Sequence, residues 1–291
     1  MSAMQGGQAT EGEVTRLVVA YNSAEALAWQ TANSAPLPTL LVDNASADDT
    51  LARARRLGLR TLALPANIGF GRAVMAGLAE VESEFALIVN PDAAADAAAV
   101  AALLEAARRY PECDLFVPRI VDEEGAVFFR CETCFEPRQR HREPPQGDAC
   151  VPVISGAAML VRVAPFRAFG GFDPNIFLYF EEDELCFRYR AARRPIIYVP
   201  EAGILHLRDG SSQPDRGTSR LKDVSFGWSL AYVMGRHGRG SRGAVLAAMA
   251  GKIPAYLLFG RWGRARRQWR RVAGFLAALR GRPAPFMPPA G

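Results

Sequence analysis

Five short, nearly continuous apolar runs punctuate the first 122 residues, and each ends in polar side chains: residues 15–22 (TRLVVAYN), 39–46 (TLLVDNAS), 60–66 (RTLALPA), 85–92 (FALIVNPD) and 114–122 (DLFVPRIVD). Runs of this kind suit parallel strands buried on both faces. Residues 23–35, 47–57, 69–80 and 93–109 lie between them with helical spacing. The pattern therefore predicts an alternating βα open sheet, mostly parallel, with helices on both faces. Ligands of such sheets bind beyond the carboxyl ends of the strands. That rule singles out Asn22, Asp43, Asn44, Asn90 and Asp92 as a set.

The pattern then changes. Residues 122–148 are rich in Glu, Arg and Pro and predict a strand pair with a loop over the site. Order resumes with a strand at 151–163, a short helix and turn at 164–172, a helix at 181–193, and two strands at 195–200 and 203–207. Residues 226–279 read as helical, and residues 1–13 as a disordered tail. The longest apolar stretch, 243–260, contains Lys252 and Pro254, which argues against a span of the roughly 20 apolar residues a bilayer needs. The stretch after it, RWGRARRQWRRVAGFLAAL, alternates Arg with Trp and Leu, as a helix lying in an anionic interface would. A basic helix packed on the body is the competing reading, and no nucleic-acid module is recognisable.

Charge sharpens that division. The chain of 291 residues carries a net charge of +5, yet no Asp or Glu follows Asp223, while 12 Lys and Arg do. An acidic body thus bears a basic C-terminal region, which is the part that would meet an anionic partner. A 49% hydrophobic composition allows a large core. Five cysteines, an odd number, and an opening without leader-like features favour a reducing cytoplasm. Cys131 and Cys134 form a CxxC with His141 and Cys150 downstream, but the spacing is irregular for zinc and ordinary thiols are the reading.

The candidate chemistry is not that of a dinucleotide enzyme. The first strand ends without glycine, and GFGRAV (69–74) breaks the GxGxxG spacing at Val74. Asp43 ends a strand where it could accept hydrogen bonds from a base or ribose, whereas Ser46, Asp48 and Asp49 read as caps of the next helix. Asn67 and Gly69 open a helix whose backbone amides could approach a diphosphate. Asp92 ends a buried strand, a costly place for a carboxylate unless it is hydrogen-bonded, caps the next helix or binds a divalent cation, Mg2+ or Mn2+.

Taken in order, VVAYNS, LLVDNASADDT, PANIGFGRA, FALIVNPDA, ISGAAMLVRVAPFRAFGGFD, IFLYFEEDELCFRYR and IIYVPEAGILHL resemble the family 2 glycosyltransferases of the GT-A fold, particularly their rhamnosyltransferase-like branch. The resemblance covers about residues 15–207. It implies inverting transfer of a sugar from a nucleotide-diphosphate donor. It also implies that Asp92 and His206 bind the metal, and that Asn22, Asp43, Asn44, Asn67, Gly69, Arg72, Asn90, Gly156, Gly171 and Asp173 surround the substrates. The acidic run Glu181–Glu182–Asp183–Glu184 matches the family's EDxDL, whose second acid serves as general base; here that is Glu182, supported by Glu181. Asp183 and Glu184 then serve the helix, with Glu184 facing Arg188 at i, i+4.

Two departures qualify the resemblance. Ala73, Val74 and Met75 stand where many relatives continue with Gly and Asn, and Glu182 stands where Asp is usual, so the carboxylate reaches about one methylene further. The sequence thus leads to a GT-A domain over residues 14–223 and a basic helical region over 224–291. The expected enzyme is cytoplasmic, peripheral on the inner face of the membrane, and takes L-rhamnose from dTDP-rhamnose to a lipid-linked or cell-surface glycan. A donor such as UDP-galactofuranose or another UDP-hexose is the alternative within the fold. A catalytically silent nucleotide-sugar or glycan binding module is the alternative outside enzymes.

Overall fold

The computed structural model of the chain describes residues 12–133, 135–136, 143–207 and 216–286. Most of the expected N-terminal tail, Cys134 and His141 therefore lie outside the described residues. In chain order the elements are β1 (Val14–Ala20), α1 (Ala24–Asn33), β2 (Thr39–Asp43), α2 (Thr50–Arg56), β3 (Arg60–Ala63), α3 (Phe70–Ala79), β4 (Phe85–Val89), β5 (Ala93–Ala95) and α4 (Ala97–Arg109). They continue with β6 (Leu115–Val121), β7 (Val127–Phe128), β8 (Ala149–Cys150), β9 (Ala158–Arg162), α5 (Val163–Ala168), α6 (Glu181–Ala191), β10 (Ile197–His206), α7 (Arg216–Arg236), α8 (Arg242–Leu258) and α9 (Trp262–Leu279).

One mixed sheet runs β3-β2-β1-β4-β9-β6-β10-β5, with β7 on β6 and β8 on β10. Strands β3, β2, β1 and β4 are parallel, β9 is antiparallel to both neighbours, β10 is parallel to β6, and β5 closes the path antiparallel to β10. Strand periodicity sorts the core into two layers. Leu17 and Val19 face Ala73 and Val74 of α3, Phe166 of α5 and Leu185 of α6, whereas Val18 and Ala20 face Leu27 of α1 and Ala54 of α2. Phe85, Leu87 and Val89 pack on Val100, Leu103 and Leu104 of α4.

Three expectations are corrected. Residues 93–109 are not one helix: 93–95 form β5, and α4 begins after Asp96, whose side chain accepts from Ala99 N at 2.8 Å. The cap is thus Asp96, and Asp92 is left for other work. Of the strand expected at 151–163, only residues 158–162 are β9. The two strands expected at 195–200 and 203–207 are one strand, β10, with a bulge between Val199 and Gly203.

The boundary expected at 223/224 falls inside α7. This helix packs on α9 through Met234, Val272 and Phe275. Asp223 adds ion pairs to Arg267, Arg270 and Arg271 at 3.9, 3.6 and 3.7 Å. Among the described residues no helix is long and apolar enough to cross a membrane.

Candidate active site

A cleft of about 750 Å³ opens at the carboxyl ends of β1, β2 and β4. Of the residues singled out in the sequence it is lined by Asn44, Asn67, Gly69, Asn90, Gly156, Glu181, Glu182 and His206. Asn22, Asp43, Arg72, Asp92, Gly171 and Asp173 are not part of its lining.

On the sheet side, side-chain amides fix the loops. Asn44 Nδ2 donates to Asn67 Oδ1 at 3.0 Å, Asn44 Oδ1 accepts from Ile68 N at 2.9 Å, and Asn67 Oδ1 accepts from Gly69 N at 3.0 Å. Gly69 has φ +87° and ψ 164°, conformations open essentially to glycine. A Cβ there would also overlap the carbonyl oxygen of Phe177, which accepts from Phe70 N at 3.1 Å. Gly69 thereby brings the aromatic segment before α6 against the start of α3. Asn22, in the left-handed region at φ +53°, instead accepts from Ala47 N at 2.8 Å and donates its own N–H to Ser46 Oγ at 2.9 Å. Ser46 and Asp48 thus tie their loop to the start of α1, Asp48 Oδ2 accepting from Ala24 N at 3.3 Å. Asp49 stands at the N-cap of α2 without a side-chain cap bond and pairs with Arg56 at 3.1 Å.

The register of β5 on β10 sets His206 opposite Ala93, so His206 and Asp92 become neighbours. His206 Nε2 stands 3.4 Å from Asp92 Oδ1, and Leu207 N donates to the Asp92 carbonyl at 3.0 Å. Asp92 is buried, and its Oδ1 has no hydrogen bond. Asp43 Oδ1 and Glu181 Oε1 are in the same condition, and among the described residues these three are the buried carboxylate oxygens so left. Each such group costs about 1–3 kcal/mol, more when charged. An orphaned carboxylate oxygen beside an imidazole at a strand end fits a divalent cation, manganese better than magnesium because of the nitrogen. Asp43, one residue before Asn44 of the cleft wall, ends β2, with β1 between it and β4.

The acidic helix forms the other side. Tyr179 and Phe180 precede it with φ +71° and +68°, a left-handed pair in bulky residues. Strain of this kind costs roughly 1–3 kcal/mol per residue and concentrates at functional sites. It turns α6 so that its first acids meet the cleft, where the N-terminal dipole favours them. The four then part company. Glu184 is fully buried and bound by Arg188 Nε at 2.8 Å, Arg236 Nε at 3.2 Å and His237 Nε2 at 3.2 Å. Asp183 pairs with Arg130 at 2.9 Å. Glu181 is buried, and desolvation together with Glu182 pushes its carboxyl well above the usual carboxylate range.

Glu182 alone of the four is half-buried rather than buried, and it lines the cleft beside Glu181 and Asp183. Desolvation raises its carboxyl, and the Arg130 guanidinium opposes the rise. Its extra methylene is accommodated at Gly156, where a Cβ would overlap Glu182 Oε1 and lie 2.9 Å from Cδ. The helix beneath is fixed by Tyr189, whose hydroxyl donates to Asp114 Oδ2 at 2.8 Å. A carboxylate so held, with raised proton affinity and solvent access, can accept a proton from a hydroxyl in the cleft.

Gly171 and Asp173 do structural work in this arrangement. Gly171 packs on Met75, and its carbonyl accepts from Arg188, while Asp173 accepts from Asn175 N at 2.8 Å and from Tyr232 of α7 at 3.0 Å. Arg72 is half-buried on α3. Sequence reasoning missed Arg130, Lys222 and Phe226, which line the cleft from outside the motifs. The apolar alternation ending FFR is the one signal that could have placed Arg130. Burial pushes the Cys113 and Cys186 thiols up to about 12, so neither is a ready nucleophile.

A sequence profile described as Glycosyl transferase family 2 matches residues 17–170. The chain is 30% identical over 219 residues to an N-acetylglucosaminyl-diphospho-decaprenol L-rhamnosyltransferase of Mycobacterium tuberculosis, covering 63% of this chain and 71% of that one. It superposes on the mannosyltransferase PcManGT of Pyrobaculum calidifontis, solved with GDP-Man and Mn2+, with a TM-score of 0.56 and 15% identity, over 92% and 87% of the two chains. GalNAc-T7, solved with UDP, GalNAc and Mn2+, gives a TM-score of 0.57 at 13% identity, over 80% of this chain and 55% of that one. These structural neighbours share the GT-A fold. The chain belongs to glycosyl transferase family 2.

Proposed function

We propose that the chain is an inverting, metal-dependent hexosyltransferase that moves L-rhamnose from dTDP-L-rhamnose to a lipid-linked glycan. It would work at the inner face of the cytoplasmic membrane, with its basic C-terminal region toward the anionic surface. The observation that carries the reading is the position of Glu182: a half-buried carboxylate, seated against Gly156, in the cleft that Asn44, Asn67 and Asn90 line from the sheet side. The likeness to an L-rhamnosyltransferase whose name specifies a diphospho-decaprenol acceptor supports the sugar and the lipid.

In this mechanism the acceptor hydroxyl approaches the anomeric carbon from the face opposite the departing diphosphate, and Glu182 Oε1 or Oε2 takes its proton. General-base assistance of this kind is worth roughly 10²- to 10⁴-fold. Burial and the neighbouring Glu182 push the Glu181 carboxyl well above the usual carboxylate range, which favours its protonated form and lessens like-charge repulsion on Glu182. The aromatic segment at residues 177–180 excludes water from one side of the base. Asp43 would receive the nucleoside, and Asn67 and Gly69 would lie along it. A Mg2+ or Mn2+ ion held by Asp92 and His206 would neutralise charge developing on the nucleotide diphosphate.

Thermal shift against a panel of nucleotide sugars with Mn2+ tests the reading. A true donor at 100 times its Kd stabilises by about 2.7 kcal/mol, and dTDP-L-rhamnose is expected to give the largest rise. A larger rise with UDP-galactofuranose or another UDP-hexose would reassign the donor. Binding without any transfer to a polyprenyl-diphosphate acceptor would point instead to a silent binding module.

A further inference from the structure

Helix α8 poses a physical problem that the enzyme reading leaves untouched. Its sequence, RGAVLAAMAGKIPAYLL, is largely apolar, yet Met249 is its one buried residue. Leu258 at its end, Phe259, Trp262 and, further along α9, Trp269 are 82%, 73%, 69% and 62% exposed, with arginines interleaved from residue 261 onward. Leu258, Phe259 and Trp262 fall within five residues, and large apolar side chains left exposed together in this way mark interaction surfaces. By contrast α9, the helix whose Arg/Trp alternation suggested an interface, lays Val272 and Phe275 against α7 and sends Arg267, Arg270 and Arg271 to Asp223.

We infer that α8 and the turn into α9 insert into the headgroup and upper acyl region of an anionic phospholipid bilayer, with α8 lying in the membrane plane. This assigns to α8 the docking that the proposed function gives to the C-terminal region as a whole, and it rests on that reading. Charge selects the occupant. Arg261, Arg264 and Arg266 are exposed beside the apolar turn, and no Asp or Glu follows Asp223 in the sequence. A second copy seated on this face through a two-fold axis would set those arginines against their own counterparts. An anionic lipid surface neutralises them while its acyl boundary covers Leu258 and Phe259, and tryptophan settles at headgroup depth. Lys252 and Pro254 suit a helix lying on a bilayer rather than crossing it, because lysine can extend its ammonium to the interface.

The full chain, without acceptor, is to be sedimented with phosphatidylcholine vesicles with and without phosphatidylglycerol. Leu258→Glu/Phe259→Glu/Trp262→Glu and Arg261→Gln/Arg264→Gln/Arg266→Gln are to be compared with wild type, each first shown to melt as wild type does. Wild type is expected to sediment with the anionic vesicles alone, and each triple variant to partition about tenfold less or worse. Wild-type tryptophan fluorescence should also be quenched by brominated lipid. The inference is overturned if the apolar variant sediments like wild type, or if wild type ignores phosphatidylglycerol. It is equally overturned if light scattering finds a wild-type dimer that the apolar variant dissociates, which would give the face to a second copy. Donor-induced stabilisation, measured on the same samples without lipid, reports separately on the transferase reading.

Discussion

Replacing Gly156 with alanine places a methyl group where the Glu182 carboxylate rests. The new Cβ would overlap Oε1 and lie 2.9 Å from Cδ. The backbone at 156 is outside the left-handed region, and the obstructed atoms are the free end of a flexible side chain, so the fold should lose no more than about 1 kcal/mol. The carboxylate, however, must swing aside by on the order of 1 Å, and a displacement of that size costs about 10²-fold in rate, or about 2.7 kcal/mol of transition-state stabilisation. Glu182→Asp withdraws the carboxylate by about one carbon–carbon bond, ~1.5 Å, and should lose rate to a similar degree by itself. Combining the two separates position from chemistry. With Asp at 182 the added methyl obstructs little, so the double variant should turn over close to the Glu182→Asp single rather than at the product of both losses, about 10⁴-fold. The assay is release of nucleoside diphosphate at saturating donor, with donor affinity measured by calorimetry and expected to be unchanged. Wild-type turnover in Gly156→Ala, or losses that multiply in the double variant, would refute the contact as the seat of the base.

Other substitutions test the remaining groups. Glu181→Gln should stabilise the protein at neutral pH: below the unfolded carboxyl value both states are protonated and the variant gains nothing. Above it the unfolded wild type ionises while the folded carboxyl keeps its proton, costing about 1.4 kcal/mol per pH unit until the raised folded value is reached. Denaturant melts at pH 4 and pH 8 that show the same difference would contradict the burial argument. Asp92→Asn should abolish the Mn2+ dependence of donor-induced stabilisation, and calorimetry showing an unaltered dependence would remove Asp92 from the metal. Gly69→Ala should destabilise by the roughly 1–3 kcal/mol of a forbidden backbone conformation plus the clash with Phe177, read as a lowered midpoint in urea; a wild-type midpoint would show that the segment before α6 yields freely. Turnover should rise with pH through a limb above the ordinary glutamate range, because Glu182 must be ionised to accept a proton.

The strands of the first half were legible because burial on both faces leaves a continuous apolar run, as in FALIV of β4. Residues 93–95 were misread for the complementary reason. Three alanines carry helix propensity and no strand signal, and pairing with β10 overrides that local preference. Residues 151–157 look like the start of a strand but carry Ser155 and Gly156 around the cleft instead of pairing along the sheet. Charge patterning did expose the i, i+4 partnership of Glu184 with Arg188. It could not reveal Arg236, the last residue of α7, or His237 just after it, which reach the same carboxylate from 52 and 53 residues further along the chain. The site was legible where residues stand at strand ends or in the acidic run. It was illegible where long-range packing supplies the wall, as for Arg130, Lys222 and Phe226. The extra reach of Glu182 is taken up at Gly156, a residue whose meaning depends on what lies opposite it.

The match to the family profile stops at residue 170, before the acidic helix begins. Asn44, Asn67 and Asn90 lie on one side of that limit, and Glu182, Lys222 and Phe226 on the other. In the proposed reaction the residues before that limit serve mainly the nucleotide and those after it mainly the acceptor, with His206 on the metal and Gly156 beneath the base crossing the division. A lineage could exchange acceptors by altering the later residues and the helices that brace them, while the earlier half continued to hold the same nucleotide.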